Sequence, residues 1–140
     1  MATQQSKMYG AGCHCGYITF KITLTPPLEQ QQPNDCGCSI CRRNGYLLVY
    51  PLKTDVQFHG ESRQRCAEYR FNAKNRAHLF CPKCGSALGI DFEKIAPKYG
   101  INVRSLNGVD MGSLNIRKDD GVQTMEPEGV DLSGTTYTEE

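Results

Sequence analysis

Alternation of apolar and polar side chains is clearest just after the second cysteine of the chain. In the segment G-Y-I-T-F-K-I-T-L, the apolar residues Ile18, Phe20, Ile22 and Leu24 occupy every second position. Successive side chains of a β-strand point to opposite faces, so this period of two places the four residues on one face. The pattern predicts a half-buried β-strand that ends before Pro26, because proline cannot donate a hydrogen bond to a strand ladder.

Shorter apolar runs follow along the chain, and turn-forming residues such as Gly60, Asn72, Gly85 and the Asn107-Gly108 pair separate most of them. No segment shows a helical stripe over three or more turns. Many short strands with turn signals between them indicate an all-β domain. The further strands predicted are Tyr46–Leu52, Val56–Phe58, Glu68–Phe71, His78–Phe80, Leu88–Phe92, Gly100–Val103 and Leu114–Ile116.

The end of the chain differs in composition from the rest. The run K-D-D-G-V-Q-T-M-E-P-E-G-V-D-L-S-G-T-T-Y-T-E-E is acidic and has few large apolar residues, so we expect an extended or loosely attached end. The 140 residues are therefore divided into an N-terminal extension (1–11), one compact domain (12–116) and an acidic C-terminal tail (117–140). One domain of this size is usual for globular proteins.

Composition narrows the classes of function. The formal net charge is +1, which gives no basis for a nucleic-acid surface. No apolar run reaches the roughly 20 residues of a membrane-spanning helix, and the first residues lack the apolar core of a secretory signal. We expect a cytoplasmic protein that binds neither nucleic acid nor membrane. Because cytoplasmic thiols are kept reduced, its eight cysteines indicate metal or redox chemistry more than disulfides.

Seven of the eight cysteines fall into three groups, and Cys66 stands alone. The segment F-C-P-K-C-G-S has the spacing of half a zinc ribbon, in which one turn directs two sulfurs at one ion. A redox Cys-x-x-Cys pair normally opens a helix, and no helical pattern follows here. The three groups are Cys13 with Cys15, Cys36 with Cys38 and Cys41, and Cys81 with Cys84.

Counting ligands leaves two arrangements open. If the two pairs form a closed site of four thiolates, the middle group supplies only three, and three protein ligands with one open position are typical of catalytic zinc. Alternatively, Cys66 or His78 supplies a fourth ligand and both sites are structural. Spacing alone does not separate these alternatives.

The motifs G-C-H-C-G-Y-I-T-F, C-G-C-S-I-C-R-R and F-C-P-K-C-G-S-A-L resemble the glutathione-dependent formaldehyde-activating enzymes and the related centromere protein V domain. The resemblance runs from about Gly12 to Asp110 and implies a mainly β fold of the β-tent type, with short antiparallel strands and two zinc ions. One departure is Gly37, where family members often have histidine, and it affects the expected pocket shape and substrate. By position, Cys13, Cys15, Cys81 and Cys84 match the ligands of a structural zinc, and Cys36, Cys38 and Cys41 match those of a catalytic zinc.

The resemblance and the open position together predict a zinc-dependent carbon–sulfur lyase. It would form or cleave the C–S bond in an adduct of an aldehyde or related small molecule with a thiol, glutathione being the candidate. Arg42 and Arg43 are predicted to bind a substrate carboxylate, and Tyr46 is a further candidate for the pocket. The alternative is a non-catalytic zinc-binding module that mediates a protein interaction. The sequence gives no indication of the oligomeric state.

Overall fold

The computed structural model describes residues 4–119 and 126–132. Within these ranges the chain forms ten short β-strands and two short α-helices, α1 (Ser39–Asn44) and α2 (Ser62–Arg65). Neither helix is long and apolar enough to cross a membrane. The strands are β1 (Lys7–Gly12), β2 (Thr19–Leu24), β3 (Asn34–Cys36), β4 (Leu48–Val49), β5 (Val56–Phe58), β6 (Ala67–Tyr69), β7 (Ala77–Phe80), β8 (Ala87–Asp91), β9 (Tyr99–Asn102) and β10 (Arg117–Asp119).

A three-stranded antiparallel sheet contains β1, β2 and β5, in that order. The predicted strand at β2 is confirmed, and its apolar face is buried in the main core. The sequence did not predict β1, which pairs with β2 along its whole length from Lys7 to Gly12. Its segment K-M-Y-G-A-G contains two glycines and buries only Tyr9 and Ala11, so its apolar alternation is weak. The sheet therefore begins inside the segment expected to be an N-terminal extension.

A seven-stranded sheet has the order β10-β3-β4-β9-β8-β7-β6, and all its neighbours are antiparallel except β10 and β3. The mainly β fold expected from the sequence and from the resemblance is confirmed. The strand predicted at Leu114–Ile116 is wrong. The side chain of Asp110 accepts a hydrogen bond from the backbone N–H of Gly112 and stabilises a 3₁₀ turn over Met111–Ser113. The strand in this region is β10, which begins three residues later. It is exposed and is held by backbone pairing with β3.

Two apolar clusters fill the interior. The larger one packs side chains of both sheets, including Phe20, Leu79 and Ile101. The smaller one contains Cys38, Cys41, Tyr46, Leu48 and Ile90. Two of the predicted metal ligands are therefore packed inside a core cluster, which fixes their positions relative to the seven-stranded sheet.

Part of the acidic tail contacts the body of the protein. The side-chain amide of Asn72 donates a hydrogen bond of 2.9 Å to the carbonyl oxygen of Glu126. Pro127, Val130 and Leu132 border a small cavity of about 140 Å³ together with side chains of α1 and of the segment after β6. Residues 126–132 are thus attached, and residues 117–119 form β10, which pairs with β3, so these parts of the tail are not loosely attached. The remainder of the predicted extended end, at 120–125 and 133–140, lies outside the described residues.

Candidate metal and substrate site

Four cysteines from distant parts of the chain form a compact sulfur cluster. The Sγ atoms of Cys13, Cys15, Cys81 and Cys84 all lie within 4.8 Å of one another. The Sγ of Cys15 is 3.7 Å from the Sγ of Cys13 and 3.7 Å from that of Cys81. Two sulfurs that are each about 2.3 Å from a tetrahedral zinc ion lie roughly 3.8 Å apart, whereas a disulfide needs about 2 Å. The cluster therefore has the dimensions of a four-thiolate zinc site.

The turn between β7 and β8 places two of these sulfurs. The backbone N–H groups of Lys83 and Cys84 donate to the Sγ of Cys81 at 3.3 and 3.4 Å. Gly85 has a φ of 78° and its N–H donates to the Cys81 carbonyl oxygen at 2.8 Å, which closes the turn. The chain then continues directly into β8. No helix follows the Cys-x-x-Cys pair. A redox pair normally opens a helix, so this arrangement is the one predicted for a pair of metal ligands.

The second cluster is built around the start of α1. Cys36 ends β3, Cys38 precedes the helix and Cys41 lies in its first turn. The Sγ of Cys38 accepts the backbone N–H of Cys41 at 3.5 Å, and the left-handed Gly45 ends the helix. The three Sγ atoms lie within 4.8 Å of one another, and no fourth histidine, cysteine or carboxylate of the described residues joins them. A soft donor set of three thiolates suits zinc with one position left over.

Neither alternative fourth ligand belongs to this cluster. Cys66 ends α2, where its Sγ donates to the carbonyl oxygen of Ser62 at 3.5 Å and packs against the main core. Burial raises the pKa of the Cys66 thiol to about 11. His78 is buried, and its Nδ1 lies 3.1 Å from the hydroxyl of Tyr46. Burial, assisted by the positive charge of Arg76, lowers the pKa of His78 to about 4, so the imidazole is neutral at pH 7.

A cavity of about 410 Å³ lies over the three-cysteine cluster. All three cysteines border it, and apolar side chains of β4, β8 and α1 form most of the remaining wall. Its polar border comes mainly from the loop between β6 and β7. The lining residues outside the cysteines are Ile40, Leu48, Tyr50, Phe71, Asn72, Ala73, Asn75, Arg76, His78, Ile90 and Phe92.

The three predicted substrate contacts do not border this cavity. Arg42 is exposed at the end of α1. The guanidinium of Arg43 donates to the carbonyl oxygen of Ser39 at 3.0 Å and borders the small cavity beside the tail. Tyr46 is 2% exposed; it packs in the same core cluster as Cys38 and Cys41, and its hydroxyl also lies 3.3 Å from the Gly89 carbonyl oxygen.

The arginine that does border the cavity, Arg76, is not among the predicted site residues. Arg76 ends the segment N-A-K-N-R, which begins at the turn signal Asn72 and contains no motif. It reaches the cavity because β6 and β7 form a hairpin whose loop lies beside the cysteine cluster. No local sequence signal could have identified it, since the contact depends on how this hairpin lies against the cysteine cluster of residues 36–41, which is distant in the chain.

Comparisons with known proteins support the fold and identify the family. The chain is similar in structure to a crystal structure of a Rhodobacter sphaeroides protein, with a TM-score of 0.65 and 26% sequence identity. That likeness covers 82% of this chain and 98% of the other. The family described as glutathione-dependent formaldehyde-activating enzyme matches residues 8–119, which include all seven clustered cysteines. The chain therefore belongs to the family of glutathione-dependent formaldehyde-activating enzymes.

Proposed function

We propose that the protein is a zinc-dependent carbon–sulfur lyase acting on adducts of a glutathione-type thiol with an aldehyde or a related small molecule. One observation carries the proposal: three cysteine sulfurs share one side of a cavity, and no fourth ligand from the described residues completes their set. In this proposal Cys36, Cys38 and Cys41 hold the catalytic zinc. The four-cysteine cluster of Cys13, Cys15, Cys81 and Cys84 holds a second, structural zinc.

The proposed reaction balances without an oxidant or a reductant. In cleavage, the C–S bond of an S-(hydroxyalkyl) thioether breaks and the sulfur keeps the electron pair as a thiolate. The hydroxyl group loses its proton and becomes the carbonyl of the released aldehyde. Formation of the adduct is the reverse, with addition of the thiolate to the carbonyl carbon. When bound by three thiolates, zinc supplies a Lewis acid that favours the deprotonated form of a thiol.

The residues around the cluster have separate proposed tasks. Leu48 and Phe92 form apolar walls that exclude water from the reacting bond. Tyr46 is proposed as a positioning residue, because its hydroxyl fixes the ring of His78 at the cavity wall. Gly37 lies half-buried between two of the cysteines, and a larger residue there would change the shape of the site.

The alternative of a non-catalytic zinc module has less support. A purely structural ion is normally held by four protein ligands, and the three-cysteine cluster has only three among the described residues. A cytoplasmic location is part of the proposal, and its support is chemical. None of the eight cysteines forms a disulfide, which suits metal ligation by reduced cysteines in a reducing compartment.

Two serine substitutions test the division of roles. Cys41→Ser should reduce the zinc content from two ions to one and abolish cleavage of thiol–formaldehyde adducts, while a cooperative unfolding transition remains. Cys81→Ser should instead reduce soluble yield and cooperativity, because structural zinc contributes directly to folding. Metal analysis, thermal unfolding and a screen of thiol–aldehyde adducts measure these effects. An unchanged zinc content in Cys41→Ser, or equal collapse of both variants, would contradict separate catalytic and structural sites.

A further inference from the structure

The cavity over the three-cysteine cluster has one charged border. Its walls are mainly apolar, with Leu48, Ile90 and Phe92 among them. Among the described residues that line it, Arg76 is the only lysine, arginine, aspartate or glutamate. Apart from the three cysteine sulfurs, a substrate in this cavity therefore meets one charged side chain, the positive Arg76, and no carboxylate among these lining residues.

Two other arginines that precede Arg76 in the sequence are neutralised by carboxylates. Arg63 lies 2.9 Å from the carboxylate of Asp91 and 3.0 Å from that of Glu68. Arg70, at the other end of the loop, lies 2.8 Å from Glu68. The ion pairs formed among residues 4–119 and 126–132 include none with Arg76. Its charge is thus available to a ligand.

A second cation increases the positive potential at this border. The guanidinium carbon of Arg76 is 5.7 Å from the centre of the Phe92 ring, and the Nζ of Lys98 is 5.3 Å from the same centre. Both cations gain from the ring face, but two like charges near one ring repel each other. An anion bound at Arg76 would reduce that repulsion.

The loop that carries Arg76 is held in place at two points. The backbone N–H of Lys74 donates to the carbonyl oxygen of Phe71 at 3.0 Å, and the side chain of Asn72 is bound to the tail at Glu126. Asn72 and Lys74 both adopt the left-handed conformation, which shapes the turn. A preorganised loop loses little entropy when a ligand binds.

We propose that Arg76 binds a carboxylate of the thiol substrate, so that the site selects carboxylate-bearing thiol adducts over neutral ones. This inference rests on the proposed function and adds its specificity-determining residue. A guanidinium suits the role because its planar donors match the two oxygens of a carboxylate. It also differs from the sequence prediction, since Arg42 and Arg43 lie off the cavity.

A matched pair of substrates tests the proposal in the zinc-loaded full chain. The formaldehyde adducts of N-acetylcysteine and of N-acetylcysteine amide differ only in the carboxylate. The wild type should cleave the acid with a kcat/KM roughly 10- to 100-fold higher, the range expected for hydrogen bonds to a charged group. Arg76→Gln should remove that preference, mainly by raising KM for the acid, and Arg76→Lys should keep part of it. Arg117→Gln, at an exposed arginine of β10, is the control and should keep the full preference.

Binding measurements separate this proposal from the lyase proposal. S-methyl-N-acetylcysteine and its amide carry no cleavable hydroxyalkyl group, and calorimetry gives their affinities for the wild type and for Arg76→Gln. If the wild type lacks lyase activity but binds the acid more tightly through Arg76, the proposed function fails and carboxylate recognition stands. If the wild type cleaves both adducts equally, or Arg76→Gln weakens acid and amide equally, Arg76 is not the carboxylate contact.

Discussion

Gly89 in β8 is the position where the smallest substitution should cause the largest loss of stability. It faces Ile101 of β9 in the sheet, and a Cβ atom built on it would lie 2.1 Å from the carbonyl oxygen of Gly100. Ordinary contacts begin at 3.4 Å, so the two strands would have to separate by more than an ångström. The obstructing atom belongs to the backbone, so no side-chain rotation can relieve the clash.

The expected cost follows from two effects. Overpacking in a well-packed interior costs about 1–3 kcal/mol. The φ of 152° at Gly89 is rarely adopted by residues with a side chain, and such strain adds about 1–3 kcal/mol. Gly89→Ala should therefore lower the free energy of unfolding by about 2–6 kcal/mol, a large fraction of the stability of a small domain.

A second glycine provides the matched control. Gly60 also has a positive φ, of 53°, but a Cβ built there meets no atom within 4 Å. Gly60→Ala should thus cost only the left-handed strain of about 1–2 kcal/mol. Urea unfolding of both zinc-loaded variants measures the difference. If the two alanine variants lose equal stability, the steric argument from the β8–β9 contact is wrong.

Four other perturbations test the structure. Asp91 is ion-paired with Lys53 and Arg63, both at 2.9 Å; Asp91→Asn should cost about 2–3 kcal/mol in denaturant unfolding at pH 7, since it removes the carboxylate that two partly buried cations share and leaves Arg63 with Glu68 alone. Tyr46→Phe removes the buried partner of His78 and should cost about 1–3 kcal/mol. Because the pKa of His78 is lowered to about 4, the unfolded state binds its proton first as pH falls. Wild-type stability should then drop by about 2 kcal/mol between pH 7 and pH 5 from this group, and a His78→Gln variant should lack that part of the drop. Removal of zinc by a chelator should abolish the cooperative thermal transition, and adding zinc back should restore it. Calorimetry measures both changes.

Local patterns were sufficient for β2 and for the pairing of Cys81 with Cys84 in one turn. The alternation from Ile18 to Leu24 and the turn around Cys81 and Cys84 each depend on neighbouring residues only. Strands held by backbone pairing left no such pattern. β1 is interrupted by glycines, and β10 is exposed and charged. Both strands form because their backbone groups make hydrogen bonds with a neighbouring strand, β2 for β1 and β3 for β10. The wrong prediction of a strand at Leu114–Ile116 has the same cause, because its apolar residues suggested a strand where no neighbouring strand of the described residues pairs with them.

The sequence by itself determined the donor set: three groups of cysteines with ligand spacing, one of them with three members. It also supplied the family resemblance that the match over residues 8–119 shows to be correct. Only the tertiary structure decided which sulfurs meet, since Cys15 and Cys81 are 66 residues apart and are joined by sheet packing. It also decided which arginine borders the cavity: Arg76 does so because the loop between β6 and β7 forms the polar border, whereas α1 contributes Ile40 and Cys41 and neither Arg42 nor Arg43.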